Sequence, residues 1–115
     1  MKIQFDCVFY FVSDLDRSVR FYIDVLGLRL QSRDSVARFD IDGVLLELVP
    51  SPPAGKSPQS GNARLCLLVE NVEEALEELH GKGVAITPAQ KKSKGVLGSF
   101  FDPDGNEICL WRYDR

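Results

Sequence analysis

The chain has 115 residues, 44% apolar and 27% charged, the make-up of one globular domain with a modest core. A net charge of −3, with no basic block beyond Lys91-Lys92-Ser93-Lys94, argues against nucleic acid as a partner, and that short run reads as a solvated loop. No apolar run approaches the ~20 residues a membrane span needs, no signal peptide is visible, and three cysteines without metal-type clustering suit a reducing cytoplasm.

Ile3 to Val12 is β-branched and aromatic, which predicts a buried strand. Ser13 or Asp14 can cap the helix that follows, because short polar side chains accept bonds from the free N–H groups of a first turn. Val19, Tyr22, Ile23 and Leu26 recur at helical spacing, and Gly27 supplies the left-handed stop. Leu28–Ser32, Val36–Ile41 and Val44–Val49 read as strands, with Asp42-Gly43 as the hairpin between the last two. Pro50 closes the first module, 1–50, and Pro52, Pro53 and Pro58 then fall among Ser, Gly and Lys, marking a linker over 51–62 before a second module, 63–115.

The second module repeats the order. Arg64–Val69 predicts a strand, and Glu70 or Asn71 opens a helix with Val72, Ala75, Leu76 and Leu79 on one face, stopped by Gly81 and Gly83. Val84–Thr87, Gly98–Phe101 and Asn106–Trp111 read as strands, with Asp104-Gly105 as the matching hairpin and Pro88–Gly95 as a mobile loop. The ten residues from Phe39 to Leu48 reappear, ungapped, as Phe101 to Leu110, five of them identical. A unit of this size cannot bury its own core, so the expectation is α+β: two tandem βαβββ modules that pack around a cleft.

The segments FYFVSDLDRSVRFYIDVLGLRL and FFDPDGNEICLW resemble the vicinal oxygen chelate superfamily, the group of glyoxalase I, fosfomycin and bleomycin resistance proteins and extradiol dioxygenases. The resemblance covers nearly the whole chain. It implies the glyoxalase/bleomycin resistance fold, a mixed sheet curled around a cleft, with four side chains holding one divalent ion in the metal-using members. Carried over residue by residue, those four positions are Cys7, Glu47, Arg64 and Cys109. Only Glu47 keeps the residue type usual in the family. Arg64 is a permanent cation with no lone pair to give. His80, the one histidine, reads as a solvated helix end rather than a ligand. No metal and no other cofactor is therefore expected.

Strand alternation sends Cys7, Phe9, Phe11, Leu45, Glu47, Val49, Arg64, Cys66, Leu68, Glu107, Cys109 and Trp111 toward the cleft. Val8, Tyr10, Leu46, Leu65, Leu67, Ile108 and Leu110 then face the helices. The ligand-binding expectation rests on Cys7, Phe9, Phe11, Leu45, Glu47, Arg64, Cys66, Cys109 and Trp111, an apolar and aromatic lining with a few ionisable groups. Bland readings stand beside it. The aromatics also suit a core, Glu47 and Arg64 also suit a purely structural pair with each other, and the cysteines also suit small buried hydrophobes. Two functions follow. One is a binding protein, similar to the bleomycin resistance proteins, that holds a small aromatic or anionic ligand without a metal. The other is an enzyme of the superfamily, a lyase, isomerase or dioxygenase with atypical ligands or a metal-free catalyst, with Glu47 as base and Arg64 stabilising an oxyanion. Relatives of this size imply a homodimer, and a small-molecule partner is expected rather than a membrane.

Overall fold

The structure, a computed structural model, describes residues 1–51 and 63–115. The expected linker lies outside the described residues apart from Ser51, whose N–H bonds to the Val12 carbonyl. The chain forms two compact units, Met1–Pro58 and Gln59–Arg115. The first carries β1 (Val8–Val12), α1 (Leu15–Arg20), β2 (Arg29–Arg33), β3 (Ala37–Ile41) and β4 (Val44–Pro50). The second carries β5 (Leu65–Leu68), α2 (Val72–Gly81), β6 (Ile86–Lys91), β7 (Gly95–Phe101) and β8 (Glu107–Tyr113). Each module is βαβββ, and each makes its own four-stranded mixed sheet, ordered β1-β4-β3-β2 and β5-β8-β7-β6. The first and last strands of each module pair in parallel and the other pairs are antiparallel.

One face of each sheet packs on that module's helix. In the first module Tyr10, Val12, Ala37, Phe39, Leu46 and Leu48 are buried together with Val19 and Tyr22, and the Tyr22 ring lies 5.8 Å from that of Phe39. In the second, Leu65, Val96, Phe100, Ile108 and Leu110 are buried with Val72, Leu76 and Leu79 of α2. Full burial of each large side chain stabilises the fold by ~1.5–3 kcal/mol.

Both helices are capped as residue type dictates. The Asp14 carboxylate accepts from the Arg17 N–H at 3.0 Å, and the Asn71 side chain accepts from the Glu74 N–H at 2.9 Å. After α1 the backbone widens into one π turn, Phe21–Val25, closed by a bond from the Leu26 N–H to the Phe21 carbonyl. Gly27, at φ 72°, ends it. Within the expected apolar face, Val19 and Tyr22 are buried and Ile23 is exposed.

Three local expectations are corrected. Strand β1 begins at Val8, not Ile3, and Ile3 and Phe5 are exposed. Val8 stands opposite Leu46, so continuing the parallel register would set Phe5 opposite Gly43, inside the hairpin turn, where there is no strand left to pair with. Pro88–Gly95 is not a loop. Pro88 to Lys91 belong to β6, β7 starts at Gly95, and the turn between them shrinks to three residues. Proline is tolerated there because β6 is an edge strand with an irregular register between Thr87 and Gln90.

The third correction concerns the hairpins. Asp42-Gly43 makes the expected two-residue turn, with φ 51° and 84°, and Ile41 pairs with Val44. Asp104-Gly105 does not match it. Pro103 stands where the first module has Ile41, the residue that closes its two-residue turn, and has no N–H to donate there, so the second module closes over Pro103–Gly105, with Gly105 at φ 82° and a bond from the Asp102 N–H to the Asn106 carbonyl. The extra loop residue shifts the register of β7 by one. Phe39 faces Leu46, and the residue facing the corresponding Ile108 is Phe100 rather than Phe101.

Candidate functional site

The sheet face turned away from each helix carries the chemistry. In the first module Phe9 stands opposite Glu47 and Phe11 opposite Val49, across the parallel β1–β4 pair. The Phe9 and Phe11 rings meet edge to face at 5.4 Å and remain 50% and 46% exposed. These rings line an open surface rather than a core. Leu45, also expected there, is half-buried.

Glu47 is the hub of this face. Its Oε2 accepts from Arg38 Nε at 3.0 Å, and its Oε1 accepts from the Cys7 thiol at 3.6 Å. Arg38 Nη1 reaches on to Asp34 Oδ2 at 3.4 Å and to Ser32 Oγ at 3.5 Å. Burial, then the neighbouring Glu47 charge, pushes the Cys7 thiol up from its ordinary value. Arg38 is absent from the residues singled out in the sequence. The signal was there, since a two-residue turn at Asp42-Gly43 sets residue 38 opposite residue 47.

In the second module the parallel β5–β8 pair makes three rungs. Arg64, just before β5, binds Glu107, with Nε 2.6 Å from Oε1. Cys66 stands opposite Cys109, and Leu68 opposite Trp111. Arg64 and then Ser99 hold the Glu107 carboxyl below its ordinary value by donating hydrogen bonds to it. Burial pushes up both thiols, and Cys66 and Glu107 push Cys109 further. Trp111 meets Tyr113 edge to face at 5.5 Å. Within its own module each charge has a partner: Glu47 takes Arg38 and Arg64 takes Glu107. In each case the counter-charge comes from the same module, Arg38 on the adjacent strand β3 and Arg64 from the residue just before β5.

The four family metal positions do not suit a hard or borderline divalent ion. A guanidinium stands at one of them, the Glu47 oxygens are engaged by Arg38 and Cys7, and both sulfurs are thiols biased toward their protonated form. A cysteine poised as a catalytic nucleophile at neutral pH is equally unsupported, because a raised pKa leaves only a minor thiolate fraction, enough for slow thiol–disulfide exchange but not for an activated nucleophile.

The family described as Glyoxalase/Bleomycin resistance protein/Dioxygenase superfamily matches residues 4–110. A glutathione transferase, FosA of Serratia marcescens, is 32% identical over 104 residues, 86% of this chain and 73% of that protein. TnmS3, an antibiotic binding protein from Streptomyces sp. CB03234, superposes with a TM-score of 0.76 over 99% of both chains at 24% identity. FosX of Listeria monocytogenes, a fosfomycin resistance protein solved with Mn(II) and sulfate, superposes with a TM-score of 0.78 over 99% of this chain and 93% of its own at 18% identity. The two structural likenesses speak to the fold. Among the described residues no helix is long and apolar enough to cross a membrane.

Proposed function

The chain belongs to the glyoxalase/bleomycin resistance protein/dioxygenase superfamily, and on that premise we propose that it binds a small aromatic or anionic organic molecule on its open sheet faces without a catalytic divalent metal. The observation that carries the reading is the state of Glu47. It is the one residue at the family positions that keeps the family's usual ligand type, and both its oxygens are taken by Arg38 and Cys7. Half-exposed Phe9 and Phe11 lie beside it and offer a stacking surface, while Arg38 and Arg64 offer bidentate donors for a carboxylate or phosphate. Such an anion would exchange places with Glu47 or Glu107 on the guanidinium. A two-fold homodimer in a reducing cytoplasm completes the proposal, because a chain this small gains buried area by pairing.

The test joins elemental analysis to ligand titration. Protein purified without chelator should hold well under one zinc, nickel, iron or manganese per chain. An anionic naphthalene sulfonate dye should bind saturably, and Arg38→Ala or Arg64→Ala should weaken it about tenfold. One Mn(II) per chain, lost in Glu47→Gln, would overturn the metal-free reading. Dye binding indifferent to both arginines would overturn the anion site. Light scattering that returns the monomer mass at every concentration would remove the dimer.

A further inference from the structure

The middle rung between β5 and β8 is a pair of thiols. Cys66 and Cys109 are direct partners in a parallel ladder, so their side chains leave the sheet on the same face. Paired strands run ~4.7–4.9 Å apart, inside the ~4.4–6.8 Å Cα separation at which disulfides form. Both cysteines are free, Cys66 is exposed and Cys109 is half-buried. The rungs on either side, Arg64–Glu107 and Leu68–Trp111, lock the register that holds the sulfurs opposite each other. Cys7 is different: it belongs to the first module, where its sulfur hydrogen-bonds to Glu47.

We propose that Cys66 and Cys109 are a redox-active pair that closes reversibly into a cross-strand disulfide in the presence of a low-molecular-weight disulfide. The exposed Cys66 thiolate attacks one sulfur of the oxidant. That oxidant's S–S bond breaks, one small thiol leaves and a mixed disulfide remains on Cys66. The Cys109 thiolate then attacks the Cys66 sulfur and expels the second small thiol. Two protein thiols and one small disulfide become one protein disulfide and two small thiols, with two electrons and two protons passed to the oxidant. Excess small thiol reverses both steps. The pair does not depend on the ligand proposed above.

The experiment uses the full, folded chain in glutathione buffers of increasing oxidised fraction, read by thiol titration and peptide mass mapping. Two of the three thiols should disappear together, with a mass loss of two hydrogens and a linked peptide joining Cys66 to Cys109. Emission from Trp111, the only tryptophan, should fall as a disulfide forms one rung away, and dithiothreitol should restore it. Cys7→Ser should leave this behaviour intact. Cys66→Ser should abolish it, and Cys109→Ser should stop at a glutathione adduct on Cys66. Persistence of all three thiols at every ratio would overturn the proposal. So would a bridge that uses Cys7, or glutathione adducts alone on the unaltered chain.

Discussion

The two modules occupy the same topology with different chemistry at the same rungs. At the middle of the parallel pair the first sets Phe9 against Glu47, and the second sets Cys66 against Cys109. One step away the first has Cys7, and the second has Arg64 bound to Glu107. Each open face nonetheless holds an arginine–carboxylate pair, Arg38–Glu47 in one and Arg64–Glu107 in the other. The pairs lie on different strands, antiparallel β3–β4 and parallel β5–β8. What the modules share is therefore a rule rather than a residue. A carboxylate that is mostly withdrawn from water needs a counter-charge close by, and each module supplies it locally.

The widest break between the modules should come at the aromatic positions. The ungapped repeat equates Phe39 with Phe101, whereas the ladders equate Phe39 with Phe100. Phe39 and Phe100 are fully buried and Phe101 is only half-buried. Phe39→Ala and Phe100→Ala should each cost ~3–5 kcal/mol in denaturant unfolding, and Phe101→Ala less than half of that. Equal costs at Phe100 and Phe101 would mean that the linear repeat, not the shifted register, describes the core.

A smaller difference sits under the helices. The ladders align Gly98, opposite Leu110, with Ala37, opposite Leu48. A Cβ at Gly98 would come within 2.7 Å of Leu76 and 2.8 Å of Val72, so α2 rides closer to its sheet than an alanine permits. Gly98→Ala should cost ~1–3 kcal/mol by overpacking, measured in the same titration, although the substitution copies the other module. The turns should separate on a similar scale. Buried Asp102 accepts from the backbone of Asp104 and Asn106 and from the Asn106 side chain. Exposed Asp40 accepts from the Gly43 N–H. Asp102→Ala should cost ~1–3 kcal/mol and Asp40→Ala under about 1.

Much of this was legible in the linear chain. Alternation along β1, β4, β5 and β8 sorts the helix-facing residues from those on the opposite face, because the period is two and each helix covers one face of its sheet. The caps at Asp14 and Asn71 follow from side-chain length alone. The ionic partners were less accessible. Arg38 could be found by counting back from the Asp42-Gly43 turn, but the Arg64–Glu107 contact depends on the register of two parallel strands separated by a helix and a hairpin. No local signal sets that register. The shifted β7 was hidden by five identities, and one residue, Pro103, undoes the alignment by dictating a different turn. Pro88 misled in the opposite direction, since a breaker in a central strand is acceptable at an edge.

The smallest expected effect is a pH dependence that sharpens the ionic comparison. Glu107 titrates below its ordinary 4.5. Its pair therefore contributes fully above that value and is lost as the pH falls through the lower folded one. At neutral pH Glu107→Gln should cost ~0.2–1 kcal/mol, the range for a partly solvated pair. The gap to the unaltered protein should close as the medium is acidified below 4.5, read from urea midpoints at a series of pH values. A gap that stays constant into strong acid would mean that the carboxylate's charge contributes nothing.

The π turn at Phe21–Val25 gives the first module a freedom of length that the second lacks. Gly27 stands one residue further from its cap, Asp14, than Gly83 stands from Asn71. An α-helix turns about 100° per residue, so an added residue ordinarily swings everything beyond it off the buried face. The wide turn absorbs the surplus where it occurs and hands the chain to Gly27 in phase. Losing one residue there should simply tighten the helix to the plain form of its counterpart, whereas the same loss inside α2 would rotate Leu76 and Leu79 away from the sheet. Insertions and deletions between related chains should accordingly collect at this point of the first helix, leaving the open faces untouched.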